Sequence, residues 1–237
     1  MLERVPPPSV LDEQLRTKRE PMLKDERRKF IHEFAPGIVL FVFAYTLLTI
    51  FRDFRDNFFA ELLQLLGYKN SPEIFTQTEI PITIIVLAIM GSLMLIRNNF
   101  MALMTNLVLI IIGLITIGFS TLLFENGWVS PLTWMSGAGL GLYLGYVPFN
   151  SILFDRMLAT FKIGGTVGFI MYIADAFGYL GSVGVLFLKE FSLIKISWLV
   201  FFIRSGYFIS ITGSVMMILC AIYFYRKHKR SQMASKT

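Results

Sequence analysis

At 237 residues, with 55% hydrophobic and 15% aromatic side chains and a mean hydropathy of +0.64, the chain lies outside the range of ordinary soluble domains. The net charge of +6 comes mostly from a basic C-terminal run that abuts an apolar stretch, which argues against a nucleic-acid partner. A single cysteine, Cys220, excludes a disulfide within the chain, and with Cys220 inside an apolar stretch and His32 and His228 in charged surroundings at opposite ends of the chain, no metal-ligand cluster is expected. Composition therefore predicts an all-α, polytopic membrane protein.

The first 34 residues carry eight Lys/Arg and seven Asp/Glu and no apolar run, so a cleavable signal peptide is not expected. Pro6-Pro7-Pro8 opens an extended segment, and 20–33 reads as a polar helix with Glu20/Lys24 and Asp25/Lys29 four residues apart. A charged arm over 1–34 is expected, then a membrane bundle over 35–225 and a basic tail over 226–237. Within the bundle, the run from Gly37 to Phe51 is short for a bilayer crossing, which takes about 20 residues. Five longer apolar stretches follow at roughly 80–96, 101–124, 132–154, 164–188 and 196–225. Six spanning helices are predicted.

Alternating the spans across a membrane puts sixteen Lys/Arg on the side of the termini and five on the other. The positive-inside rule then predicts a multi-pass protein of the cell (cytoplasmic) membrane with both termini in the cytoplasm. Arg226-Lys227-His228-Lys229-Arg230 is expected to sit against anionic headgroups. Spans four and five carry small residues at four-residue spacing: Gly137/Gly141/Gly145, Gly164/Gly168 and Ala174/Gly178/Ser182. That pattern lets helix backbones approach closely.

Charges within the spans carry the functional signal. If the first helix runs unbroken to Leu66, Arg52, Asp53, Arg55 and Asp56 share one face, while Phe51, Phe54, Phe58, Leu62 and Leu65 take the opposite one. Arg52/Asp56 and Asp53/Asn57 are also four residues apart. Two readings fit: an amphipathic helix end at the outer interface, or a charged face lining a polar interior. Asp175 and Arg204 stand deeper, about 16 Å and about 12 Å along their helices from opposite membrane faces. Each alone costs about 2.5–3.5 kcal/mol at a helix centre, so the two are expected to pair. Pro148 predicts a kink in the fourth span, and Asp155-Arg156 a charge cluster at its cytoplasmic end.

Six spans with a charged first helix, a short turn at Arg97-Asn98-Asn99 and glycine-rich fourth and fifth spans resemble one six-helix half of a major facilitator superfamily transporter. The segments 16–22 (RTKREPM), 47–58 (LLTIFRDFRDNF), 146–150 (YVPFN) and 174–182 (ADAFGYLGS) are more similar to an uncharacterised bacterial membrane family with that fold, over nearly the whole chain. The likeness is to the carboxy-terminal half, which implies a second six-helix half encoded elsewhere or a homodimer. The superfamily's loop signature between its second and third spans is met only at Gly91 and Leu93, with Leu95 and Ile96 where Asp and Arg would stand. A standard gating latch and proton coupling therefore do not follow.

The expected function is half of a secondary transporter for a small solute, with Arg52 and Arg55 favouring an anionic one. Asp53, Asp56 and Asn57 would line the cavity beside them. A non-transporting membrane scaffold or sensor is the alternative. No Ser/His pairing or paired catalytic carboxylates stand in the spans, so neither an enzyme nor a cofactor is expected.

Overall fold

The protein is described from a computed structural model that defines residues 23–68, 72–164, 167–191 and 197–234. Pro6 to Pro8, Glu20 and the segment 16–22 lie outside the described residues. In chain order the elements are α1 (Lys24–Asn57), α2 (Phe59–Leu65), α3 (Pro72–Leu93), α4 (Asn99–Glu125), α5 (Pro131–Pro148), a π-helical segment (Phe149–Leu153), α6 (Phe154–Thr160), α7 (Gly168–Phe191) and α8 (Trp198–Ala234). No strand occurs among the described residues. The all-α class is as composition predicts.

Five helices are long and apolar enough to cross a membrane: α1, Glu73–Leu93 of α3, α4, Gly168–Phe187 of α7, and α8. The sixth expected span corresponds to α5 and the π segment. It is not among those five because glycine, proline and tyrosine dilute its apolar side chains. Proline ends α5, and the wider π turn follows directly at Phe149. Pro148 offers no N–H to the carbonyl four residues back, and a π segment is one way a helix absorbs that loss without ending.

Both expected segment boundaries fall inside helices. α1 passes unbroken from Lys24 through residue 35 and beyond, and α8 continues past Tyr225 to Ala234. Packing explains the first extension: Phe30 and Phe34 are buried and stacked at 5.2 Å, and they continue the buried stripe of Ile38, Phe41 and Tyr45. Glu26 adds a local stop signal, its carboxylate accepting from Leu23 N–H at 2.8 Å, with Asp25 beside it in the first turn. The expected continuity to Leu66 holds less well. The backbone leaves the helical region at Phe58 (φ −115°, ψ 16°) before α2 resumes. Gly67 then ends α2 at φ +86°, with Tyr68 N–H donating to Leu63 O at 3.0 Å in a Schellman turn.

α5 packs against α4, α3 and α1; α4 also packs on α8, and α1 on α7 and α8. Lipid is as apolar as leucine, so close packing rather than burial from water must hold such helices together inside a bilayer. The glycines supply it. A Cβ built on Gly113 of α4 would stand 2.5 Å from Gly141 O and 2.6 Å from Gly145 N, and one on Gly137 would stand 2.9 Å from Ser120 Cβ. On the other side of the bundle, Gly178 faces Thr49 and Gly181 faces Thr46 and Ile50 at about van der Waals contact or closer. The spacing in spans four and five thus reads correctly for these positions. Gly164/Gly168 is the exception: Gly164 precedes α7 and has nothing within 4 Å.

Only 22% of the apolar window is buried in α3 and in α7, against 56% in α1. They are the edge helices, flanking α5 and α1. At the end of the bundle that holds both Lys24 and Ala234, Arg156 Nη1 donates to Asn99 Oδ1 at 2.8 Å, tying α6 to the start of α4.

Candidate functional site

The sextet Arg52 to Asn57 sits where α1 passes between α8 and the α3–α5 pair. Its apolar side behaves as the helical phase predicts. Phe51 stacks on Phe202 at 4.7 Å and 2°, and Phe54 lies against Trp198 and Phe201 at 5.5 and 4.8 Å. Leu65, past the break at Phe58, is 52% exposed and leaves this face.

The charged side divides by depth. Arg55 is wholly buried, and its Nη2 donates to the Glu79 carboxylate of α3 at 2.5 Å. Phe59 and Tyr143 offer ring faces 5.3 and 6.0 Å from the guanidinium carbon. The slot exists because residue 139 is glycine: a Cβ there would stand 2.6 Å from Arg55 Nη2 and 2.9 Å from its Cζ. Arg55 Nε and Nη1 have no hydrogen-bond acceptor among the described residues. The nearest other carboxylate is Asp56, 3.5 Å from Nη1 and 42% exposed. Arg52 and Asp53 are half-buried and bonded to each other, with Nη2 to Oδ1 at 2.6 Å. Asn57 turns back on its own helix, donating to Asp53 O at 2.7 Å.

A second cluster lies two turns deeper. The Tyr45 hydroxyl, on buried α1 surface, donates to Asp175 Oδ1 of α7 at 2.5 Å. A tyrosine has one O–H, so the Tyr146 hydroxyl at 3.1 Å is the donor toward Tyr45. Asn150 Oδ1, on the π segment, stands 3.3 Å from the same hydroxyl. The Arg52 guanidinium lies 4.4 Å from the Tyr146 ring centre. Asp53, Arg52, Tyr146, Tyr45 and Asp175 therefore form one polar string crossing α1, α5 and α7.

The expected Asp175/Arg204 ion pair does not form. Asp175 is held by Tyr45, and Arg204 is exposed on α8 with no ion pair among the described residues. The reason is helix order. α7 docks on α1, whereas α8 docks on α4 and on the opposite flank of α1. Equal depth does not bring two side chains together when a third helix stands between them.

Four residues of this polar face were not among the expected site residues. Glu79 falls one residue before the apolar stretch that begins near 80, so it reads as a loop end, although α3 starts at Pro72. Tyr45, Tyr143 and Tyr146 look like ordinary aromatic residues of a span. A usable signal did exist for Tyr45, which lies seven residues before Arg52 and hence on the same helix face.

Adding Glu79 changes the electrostatics. The two arginines of this face meet four carboxylates, Asp53, Asp56, Glu79 and Asp175, and each arginine is already engaged by one of them. Tyr143, Tyr146, Asn150, Arg52, Asp53 and Asp56 are all partly or fully exposed. They lie along neighbouring stripes of α5 and α1 between the two edge helices. Such a strip of polar groups among apolar helices defines an α-helical membrane protein with a polar face.

Within that class, the chain belongs to DUF5690, a family of unknown function, which it matches over residues 1–227. No curated protein and no solved structure matches it.

Proposed function

We propose that the protein is a secondary-transporter-like carrier of a small solute, in which the polar face of α1, α5 and α7 forms one wall of a cavity. The opposite wall would come from a second bundle, either a partner half or a second copy of this chain. The observation that carries this reading is the open polar strip from Asp56 to Asp175, which runs across three helices of an otherwise largely apolar bundle. Charged groups at membrane depth are costly and face interiors or water paths, not lipid. π turns inserted in a helix recur at functional sites, and the π segment after Pro148 carries Asn150 into this cluster.

The charge of the wall bears on the solute. Sequence alone favours an anion because Arg52 and Arg55 stand out. With both arginines engaged and four carboxylates on the face, a cationic solute or proton fits the balance better. The topology that accompanies this reading is a multi-pass protein of the cell membrane with six spans and both termini in the cytoplasm, supported by the bias of Lys and Arg toward the terminal side. The resemblance to half of a major facilitator fold supports a two-bundle assembly.

The test is flux into liposomes, screened with radiolabelled organic cations, amino acids and carboxylates, for wild type and Asp175→Asn. Cation uptake that Asp175→Asn abolishes is expected. A protein that moves no class of solute, even in a preparation shown by cross-linking to contain paired bundles, would favour the scaffold or sensor reading instead.

A further inference from the structure

Beyond the polar wall, the bundle carries a second feature at the end where α8 leaves the membrane. Along one stripe of α8 stand Leu219, Ile222, Arg226 and Arg230, spaced so that they share a face. Leu219 and Ile222 are 50% and 42% exposed, and both arginines are exposed. Neither Arg226 nor Arg230 has a hydrogen bond or ion pair among the described residues. This stripe forms one wall of a cleft of about 790 Å³ whose other walls include Phe34 of α1 and Phe161.

The opposite wall is fixed in place. Lys227 Nζ reaches Glu33 Oε1 at 3.3 Å and Glu33 O at 3.1 Å, and lies 4.1 Å from the Phe34 ring centre. The Tyr223 hydroxyl donates to the same Glu33 carbonyl at 3.2 Å. Glu33, the one acid lining the cleft among the described residues, is thus spent on Lys227, and the two arginines have no ion pair among those residues. Apolar residues floor the cleft toward the bilayer, and free guanidinium groups rim it on the aqueous side. From Leu219 to Arg230 the stripe is about 16 Å long at 1.5 Å per residue. That is the register of a phospholipid: acyl chain below, phosphate above.

We propose that this α1–α8 cleft is a discrete binding site for one anionic glycerophospholipid. Arg226 and Arg230 take the phosphodiester and the headgroup charge, arginine forks matching phosphate oxygens in bidentate fashion. Leu219 and Ile222 take the upper acyl chain. The site differs from a general attraction of the basic tail to the membrane surface, because Lys229, three residues on from Arg226, lines a separate cleft with Phe100 and Asn98 and not this one. Charges of the same sign lining two clefts should then contribute unequally.

The experiment uses the full chain in neutral detergent, with binding read by native mass spectrometry and by thermal shift. Phosphatidylglycerol is titrated against phosphatidylcholine of the same acyl chains, and glycerol phosphate serves as a headgroup without chains. Expected are one tightly retained phosphatidylglycerol per chain and a loss of affinity of about fivefold in Arg226→Gln, with little change in Lys229→Gln. Arg226→Lys should recover part of the loss, which keeps the test independent of folding. Equal losses in Arg226→Gln and Lys229→Gln would reduce the effect to surface charge and overturn the site. Equal retention of phosphatidylcholine, or full binding by glycerol phosphate, would overturn the anionic-lipid assignment.

Discussion

α5 has two sides with opposite characters. Toward α4 it presents Gly141, whose added carbon would meet the Gly113 carbonyl at 2.5 Å, and Gly137, whose added carbon would meet the Ser120 side chain at 2.9 Å. Toward α1 it presents Tyr146 and, past the proline, Asn150, in hydrogen-bond or cation–π reach of Tyr45 and Arg52, and Tyr143, in reach of Arg55 and Asp56. Gly139 belongs to both logics, being small so that a buried arginine fits. The difference teaches how a helix is held rigid on one side so that polar groups on the other are positioned without being packed in. Rigid support is what a binding face requires if its geometry is to survive in a membrane, where packing is the main cohesive force.

The contrast can be broken most severely at the buried charge. Arg55→Ala leaves Glu79 uncompensated against α1 and α5, and a loss of about 3–5 kcal/mol is expected, read as a lowered unfolding midpoint in detergent. Replacing both members, Arg55→Leu with Glu79→Leu, should restore much of that stability while leaving the proposed solute flux impaired. Next comes the glycine seam. Gly141→Ala puts a methyl 2.5 Å from Gly113 O, and overpacking of this kind costs about 1–3 kcal/mol. It should lower stability with no change in solute preference among molecules that still fold.

Smaller effects separate the polar string from the seam. Tyr45→Phe removes the donor to Asp175 and the acceptor for Tyr146, with a cost of about 1–3 kcal/mol from the carboxylate left unpaired. Asp175→Asn in the Tyr45→Phe background should cost less than the two single changes added together, as coupled neighbours do. Arg204→Gln should lose least, because the side chain is exposed and has no ion pair among the described residues. A large loss there would revive a partnership between Arg204 and a spanning acid.

How far the sequence reached depends on the kind of information each element needed. Gly137, Gly141 and Gly178 were legible because small residues at four-residue spacing have one use in apolar helices. The two-faced sextet was legible because Phe51, Phe54, Arg52 and Arg55 sort by helical phase alone. Partner choice was not legible. Asp175 found Tyr45 and not Arg204 because α7 docks on α1, and docking order is a tertiary fact with no local signature. Glu79 was lost to the placement of a helix start, since α3 begins eight residues before its apolar run near 80. Pro148 announced a perturbed helix, but the π turn that follows it emerges only from how α5 and α6 continue together.

Thiol labelling tests the central claim, that the strip on α1 and α5 faces a water-filled cavity rather than lipid. With Cys220 replaced by Ala, single cysteines are placed at Tyr143 on the polar face and at Ile112 on the outward face of α4, both near mid-helix. A membrane-impermeant maleimide is then applied to the reconstituted protein. The account predicts ready labelling at 143, slowed by a transported solute, and none at 112. Equal protection at both positions would mean that the charged face is sealed from water, and the carrier reading would fall.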